Sequence, residues 1–208
     1  MNIALIGASG FIGSEILNEL LSRGYKVTAI VRNPEKIKPR ENLIIKKGDA
    51  EDTKALTELL KGHSAVLSAY HTGSDKAVIG GKSIVEATRR AGIKRLIVVG
   101  GAGTLDVAPG KNLVDSPEFP AAWKDIALAA RELFYFMRDK GNDLDWGFMS
   151  PAAMIEPGPR TGKFRVGADS VIFDDKGQSK ITAADYAVAM VNELEKNQFI
   201  QKRFTVAY

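Results

Sequence analysis

The chain has no cysteine, which excludes disulfides, thiolate metal sites and cysteine nucleophiles at once. Histidine is almost as scarce. The two, His63 and His71, stand apart and offer no metal-ligand spacing, so no metal is expected. No apolar run approaches the roughly 18 residues of a membrane span. The opening MNIALIGASG lacks the basic segment of an export signal. The expectation is a cytoplasmic chain with no membrane partner. A strong excess of one charge is missing too. With 29 basic and 25 acidic residues, a net charge of +4 is too mild to indicate nucleic acid as a partner. The charge is uneven, however, and a basic cluster runs through Arg32, Lys36, Lys38, Arg40, Lys46 and Lys47.

What is present is ordinary for a globular domain: 208 residues, 45% hydrophobic and 26% charged. A single domain over the whole length is expected. Asn2–Ile6 reads as a short buried strand, and Phe11–Arg23 follows with helical spacing of Ile12, Ile16, Leu17, Leu20 and Leu21. Strands are then expected at Lys26–Val31, Leu43–Lys46, Ala65–Ala69, Lys94–Val99, Leu144–Met149 and Arg203–Ala207. Helices are expected at Thr53–Leu60, Lys82–Ala91, Ala121–Lys140 and from Thr182 to about Lys196, the last opened by a capping box of Thr182 with Asp185. Asp106–Pro120, with three prolines, reads as a loop. The segment 150–181 reads as irregular with short strands, covering the crevice. Strands alternating with helices imply right-handed crossovers, hence an α/β fold with a mainly parallel sheet and helices on both faces.

Gly7-Ala8-Ser9-Gly10-Phe11-Ile12-Gly13 is a G-x-x-G-x-x-G run between a strand and a helix, the context in which such a run carries meaning. Gly7 permits the turn out of the strand. Gly10 lets a backbone approach a pyrophosphate, and Gly13 lets the helix pack on the sheet. The helix N-terminus, at Phe11 and Ile12, presents free N–H groups and partial positive charge. The reading is a doubly wound Rossmann-type fold that binds a dinucleotide; the plainer alternative is a glycine turn with no ligand.

The end of the second strand bears on which dinucleotide. A carboxylate there accepts from a ribose 2′-hydroxyl, as NAD requires. Here the strand runs into Arg32-Asn33. A guanidinium pairs with a 2′-phosphate, and the Ser9 hydroxyl can donate to the same group. NADP(H) is therefore favoured over NAD(H). The alternative is that Arg32 stacks on adenine or faces solvent.

The GASGFIG loop, the VRN after the second strand, Gly48-Asp49 after the third, SPAAMIEPGPRTGKFR after the sixth and the segment ITAADYAVAMVNELE resemble the NAD(P)H-binding atypical short-chain dehydrogenase/reductases. Within them the chain is most similar to the NADH-flavin reductase branch, related to NmrA-like and biliverdin-reductase-B-like proteins. The resemblance implies that Asp49 and Ala50 contact the adenine and that Ala69 and Tyr70 line the nicotinamide ribose. It implies that Gly100 and Gly101 stand where the superfamily often carries a catalytic Ser or Thr, and that Ser150 and Pro151 pack near the nicotinamide amide.

One departure from the resemblance carries chemistry. The tyrosine–lysine pair, four residues apart on the long helix, is missing: Tyr135 is followed four residues later by Asp139, and no tyrosine precedes Lys124 by four. The weak catalytic candidates are His71, Thr104 and Trp123. Arg160 or Lys163 can be placed against an anionic substrate, and His63 reads as solvent-exposed. Reducing a ketone calls for a positioned acid; reducing a flavin or quinone calls mainly for alignment of flat rings. The expectation is an NAD(P)H-dependent reductase whose partner is a small planar acceptor, with flavin as substrate rather than prosthetic group, in a monomer or homodimer. The alternative is a non-catalytic NADP(H)-sensing regulator of the NmrA-like type.

Overall fold

The computed structural model describes residues 1–72 and 74–208, the Ser74 side chain excepted. In chain order the elements are β1 (Asn2–Ile6), α1 (Phe11–Ser22), β2 (Lys26–Val31), β3 (Leu43–Lys47), α2 (Thr53–Leu60), β4 (Ala65–Ser68), α3 (Ser74–Arg90) and β5 (Arg95–Val99). They continue with β6 (Asp106–Ala108), β7 (Lys111–Asn112), α4 (Ala121–Lys140), β8 (Asp145–Ser150), β9 (Met154–Glu156), β10 (Arg165–Gly167), β11 (Lys180–Thr182), α5 (Ala183–Lys196) and β12 (Lys202–Ala207).

The main sheet has eight strands in the order β10-β12-β8-β5-β4-β1-β2-β3, all parallel to their neighbours except the edge strand β10. Strand periodicity builds the two layers. Ile3 and Leu5 of β1 point into a core with Ile16 and Leu20 of α1 and with Ala187, Met190 and Leu194 of α5. Ala4 and Ile6 point the other way, among Leu56 of α2, Ile84 of α3 and Leu133 and Met137 of α4. Each fully buried aliphatic side chain contributes about 1.5–3 kcal/mol relative to exposure. From β1 the chain winds outward through β2 and β3, then returns to β4 on the other side. That reversal opens a crevice at the carboxyl ends of β1 and β4.

Two elements depart from expectation. Helix α3 starts at Ser74, eight residues before the predicted start. The Gly80-Gly81 pair disfavours helix locally, but tertiary packing demands it. A Cβ on Gly80 would lie 2.5 Å from Tyr70 Cζ, and one on Gly81 would lie 2.6 Å from Leu133 Cδ2. The helix needs those glycines to let two side chains sit on its backbone. The predicted loop 106–120 instead opens with a hairpin, β6–β7, turned at Pro109-Gly110 with Gly110 at φ +72°.

Candidate dinucleotide site

The glycine loop leaves β1 at the crevice. The Gly7 N–H donates to Ile30 O at 3.1 Å, and Gly7 turns with φ +81°, where a Cβ would meet Ala69 O at 2.5 Å. A Cβ on Gly13 would overlap the Gly7 carbonyl oxygen and lie 2.9 Å from its carbon, so α1 sits directly on the turn. Gly7 and Gly13 are thus required by the protein itself. Gly10 is not. A Cβ there would meet only Gly7 O at 3.4 Å, ordinary contact, and its φ of −81° suits any residue. The fold itself thus leaves the space in front of Gly10 open. Gly10 is also the N-cap of α1, with no side-chain cap and no acid in the first turn. Ser9, Gly10 and Phe11 are exposed. The N–H groups of that turn are left to a ligand, and the cradle fits a diphosphate.

Beyond the loop, β2 delivers Arg32 and β3 delivers Gly48-Asp49-Ala50 to the same edge. The Gly48 N–H donates to Val31 O at 3.0 Å, which sets the two strand ends side by side. Arg32 and Asp49 are exposed, and Ala50 is buried. One Asp49 oxygen accepts from the Glu51 N–H at 3.0 Å, folding the loop into a tight turn. Ala69 and Tyr70 follow directly on β4. Ala69 stays at the crevice, its N–H on Ile6 O at 2.9 Å. The Tyr70 side chain reaches toward the loop that follows β3. Its hydroxyl donates toward Glu51 Oε1 and Lys76 O, each at 3.3 Å. Burial, then the Glu51 carboxylate, pushes the phenol up to about 12. Tyr70 thus stands near Arg32 and Asp49, whose charges act on its hydroxyl.

The opposite end carries few accessible polar groups. Gly100 and Gly101 are small because protein fills their space: a Cβ would meet the Phe148 ring at Gly100 and Ala130 Cβ at 2.9 Å at Gly101. Gly103 likewise lets Ala127 of α4 approach, at 2.7 Å from a Cβ. Thr104 and Ser150 are brought together, Oγ1 to Oγ at 2.9 Å, but both are fully buried. Neither hydroxyl is available to a ligand, which removes Thr104 as a catalytic candidate and Ser150 as a side-chain contact; Pro151 is buried beside it. The Tyr186 hydroxyl is sealed under Met149 O, and burial pushes it well above its ordinary range. The Tyr135 hydroxyl turns to Asn112 Oδ1 at 3.4 Å. His71 is exposed after β4, and Trp123 is 61% exposed in the first turn of α4. His63 is not the exposed residue expected: its ring bridges Leu60 O and Thr28 Oγ1, each at 2.8 Å.

Arg160 is also corrected. It forks onto the buried Glu19 of α1 at 2.7 and 3.0 Å, about two turns beyond the glycine loop. It is committed to the protein, not to a substrate. Residues 157–164, a strap between β9 and β10 that carries Arg160, are also tied down by Asp185, which accepts from the Thr161 and Gly162 N–H groups at 2.8 and 2.7 Å, from Thr161 Oγ1, and from the Tyr208 hydroxyl at 2.7 Å. The strap is thus tied to α1 through Glu19 and to the first turn of α5 through Asp185. Only half of the capping box forms: Thr182 Oγ1 accepts from the Asp185 N–H at 3.1 Å, while the Asp185 carboxylate turns to the strap. Burial alone would raise the Asp185 carboxyl; its donors outweigh burial and hold it below the usual range. A depressed folded value means stability that is present above about pH 4 and lost as pH falls below it. Asp185→Asn is expected to lower the urea midpoint at pH 7, and its deficit against wild type is expected to shrink below pH 4. A deficit independent of pH would contradict an ionised anchor.

A family model described as NAD(P)H-binding matches residues 7–197. The chain belongs to that NAD(P)H-binding family. An uncharacterized Bacillus subtilis protein, YwnB, is 40% identical over 212 residues, covering 99% of this chain and 98% of its own. A Burkholderia pseudomallei structure provisionally named an exported protein is 47% identical, covers 100% of both chains and superposes with a TM-score of 0.93. A Streptococcus pneumoniae structure provisionally named an NADH-flavin reductase is 34% identical over 100% of this chain and 99% of its own, with a TM-score of 0.87. Within the described residues no helix is long and apolar enough to cross a membrane.

Proposed function

We propose that the protein is an NADP(H)-dependent reductase that serves a flat acceptor such as a flavin or a small quinone. One observation supports this most: the glycine turn and the uncapped N-terminus of α1 stand open at the crevice, while the hydroxyls near the ends of β5 and β8 are sealed in protein. The hydroxyls of Thr104, Ser150 and Tyr186 are all buried. When bound, the nicotinamide supplies a hydride. The chain's own part is to hold and orient. Gly7–Gly13 and the α1 N-terminus hold the diphosphate, Arg32 takes the 2′-phosphate, and Asp49 with Ala50 borders the adenine. The end of β5 offers backbone rather than an accessible hydroxyl, which suits an acceptor whose delocalised charge lessens the need for a fixed acid. The resemblance of the Streptococcus pneumoniae relative points the same way.

NADPH oxidation is expected to be stimulated by riboflavin, FMN or a small quinone. Saturable NADPH binding without turnover across that panel would overturn the reductase reading. It would favour the sensor reading, which the same buried hydroxyls support. The cofactor preference has its own test. Arg32→Ala is expected to cost NADPH roughly 1.5–3 kcal/mol, the scale of a charge-assisted hydrogen bond, and to leave NADH unchanged by calorimetric titration. Equal losses for both would remove Arg32 from the 2′-phosphate.

A further inference from the structure

We propose that Tyr70 is a positioning residue for cofactor preference: its hydroxyl holds the Glu51 carboxylate away from Arg32, so that Arg32 stays free for the 2′-phosphate. The proposal rests on the assignment of Arg32 to that phosphate. Three observations carry it. First, Glu51 lies on the loop between β3 and α2, which the Gly48 N–H bond to Val31 O sets beside the end of β2 that carries Arg32. Second, in the structure Glu51 Oε1 faces the Tyr70 hydroxyl at 3.3 Å, and Arg32 stands near enough for its charge to act on that hydroxyl. Third, the ring is not free to wander. It lies on the α3 backbone at Gly80, where a Cβ would come within 2.5 Å of its Cζ. The glycine in a helix interior, unfavourable by itself, thereby fixes where the hydroxyl stands.

The charge balance gives the arrangement a purpose. Asp49 and Glu51 place two carboxylates near the single guanidinium of Arg32 at this edge. Asp49 turns one oxygen onto the Glu51 N–H at 3.0 Å. If Glu51 turned to Arg32, the pair would have to break before a dianionic phosphate could bind, and a carboxylate would remain beside it. Because the phenol stays protonated, it remains a donor to Glu51 throughout the physiological range.

The test is calorimetric titration of NADPH and NADH into wild type, Tyr70→Phe, Glu51→Gln and the double variant. Tyr70→Phe keeps the ring on Gly80 and removes only the hydroxyl. It is expected to weaken NADPH about three- to fivefold, the scale of an exposed ion pair, and to leave NADH unchanged. In the Glu51→Gln background the same substitution is expected to have no effect, since no carboxylate remains to be released. A merely structural role for Tyr70 would weaken both cofactors alike, and that result would overturn the proposal. So would an NADPH loss that persists in the Glu51→Gln background. A wild type that binds NADH as tightly as NADPH would overturn the Arg32 assignment itself and the proposal with it, whatever Tyr70→Phe does.

Discussion

Gly10→Ala is expected to fold almost normally and to bind the dinucleotide about tenfold more weakly, whereas Gly13→Ala is expected to lose both stability and binding. The two glycines stand in one motif but answer to different constraints. At Gly13 an added methyl would strike the Gly7 carbonyl, which is backbone and cannot turn aside. The helix must lift, and a backbone clash of this kind costs about 1–3 kcal/mol or more. The lift also moves the N–H groups that would hold the diphosphate. At Gly10 the methyl finds 3.4 Å to Gly7 O and no backbone strain. An N-cap change from Gly to Ala should cost no more than about 1 kcal/mol. The methyl would nonetheless stand where a diphosphate must come close, so NADPH affinity should fall roughly tenfold, or about 1.4 kcal/mol. Urea denaturation and calorimetric titration of the two variants separate the effects. Unchanged NADPH affinity in Gly10→Ala would deny the loop its ligand. A large stability loss there would make Gly10 a structural glycine like Gly13.

That contrast also shows which parts of the site can be read without coordinates. The loop is readable because its meaning is local: a strand, glycines at fixed offsets and a helix lie within the first 22 residues. Arg32 is readable for the same reason, as the residue after a β-branched strand. Features that depend on distant partners are not. Gly80-Gly81 looks like a break until Tyr70 and Leu133 are seen resting on it. Thr104 looks like an available hydroxyl until Ser150, forty-six positions away, is found against it. Asp185 looks like half of a capping box because Thr182 stands three residues before it, yet its carboxylate serves residues about 24 positions upstream and the Tyr208 hydroxyl. The hairpin turn at Pro109-Gly110 was readable locally, but three nearby prolines mask it as a plain loop. The alternation that predicts the parallel sheet is therefore robust, while side-chain duties at the substrate end follow from packing.

Glu193→Ala is expected to be the most destabilising single change, at about 3–5 kcal/mol, the cost of stranding a buried charge, with NADPH affinity per folded molecule unaltered. Arg95 opens β5 and Glu193 lies near the end of α5, so the pair sits at the amino edge of the sheet, opposite the crevice. They meet at 2.5 Å with side chains 9% and 3% exposed. The guanidinium also donates to Asp145 O at 2.9 Å and to Glu193 O at 3.1 Å. The carboxylate does more than neutralise it. Its oxygens accept from the Phe199 and Gln198 N–H groups at 2.9 and 3.1 Å, closing the turn that leads from α5 into β12. Alanine would leave a buried cation without its counter-charge and two amides without acceptors. Replacing both partners with apolar residues, as in the double variant Arg95→Met with Glu193→Leu, should recover much of the loss, because the Coulombic gain of a buried pair is largely offset by desolvation. The two amides would still lack acceptors, so recovery should be incomplete. Urea midpoints for the single and double variants, with NADPH titrations under native conditions, provide the check. A Glu193→Ala loss below about 1 kcal/mol would place the pair among ordinary surface bridges. A fall in NADPH affinity would mean that the two edges of the sheet are coupled, contrary to a glycine loop held by contacts with β1, β2 and β4 alone.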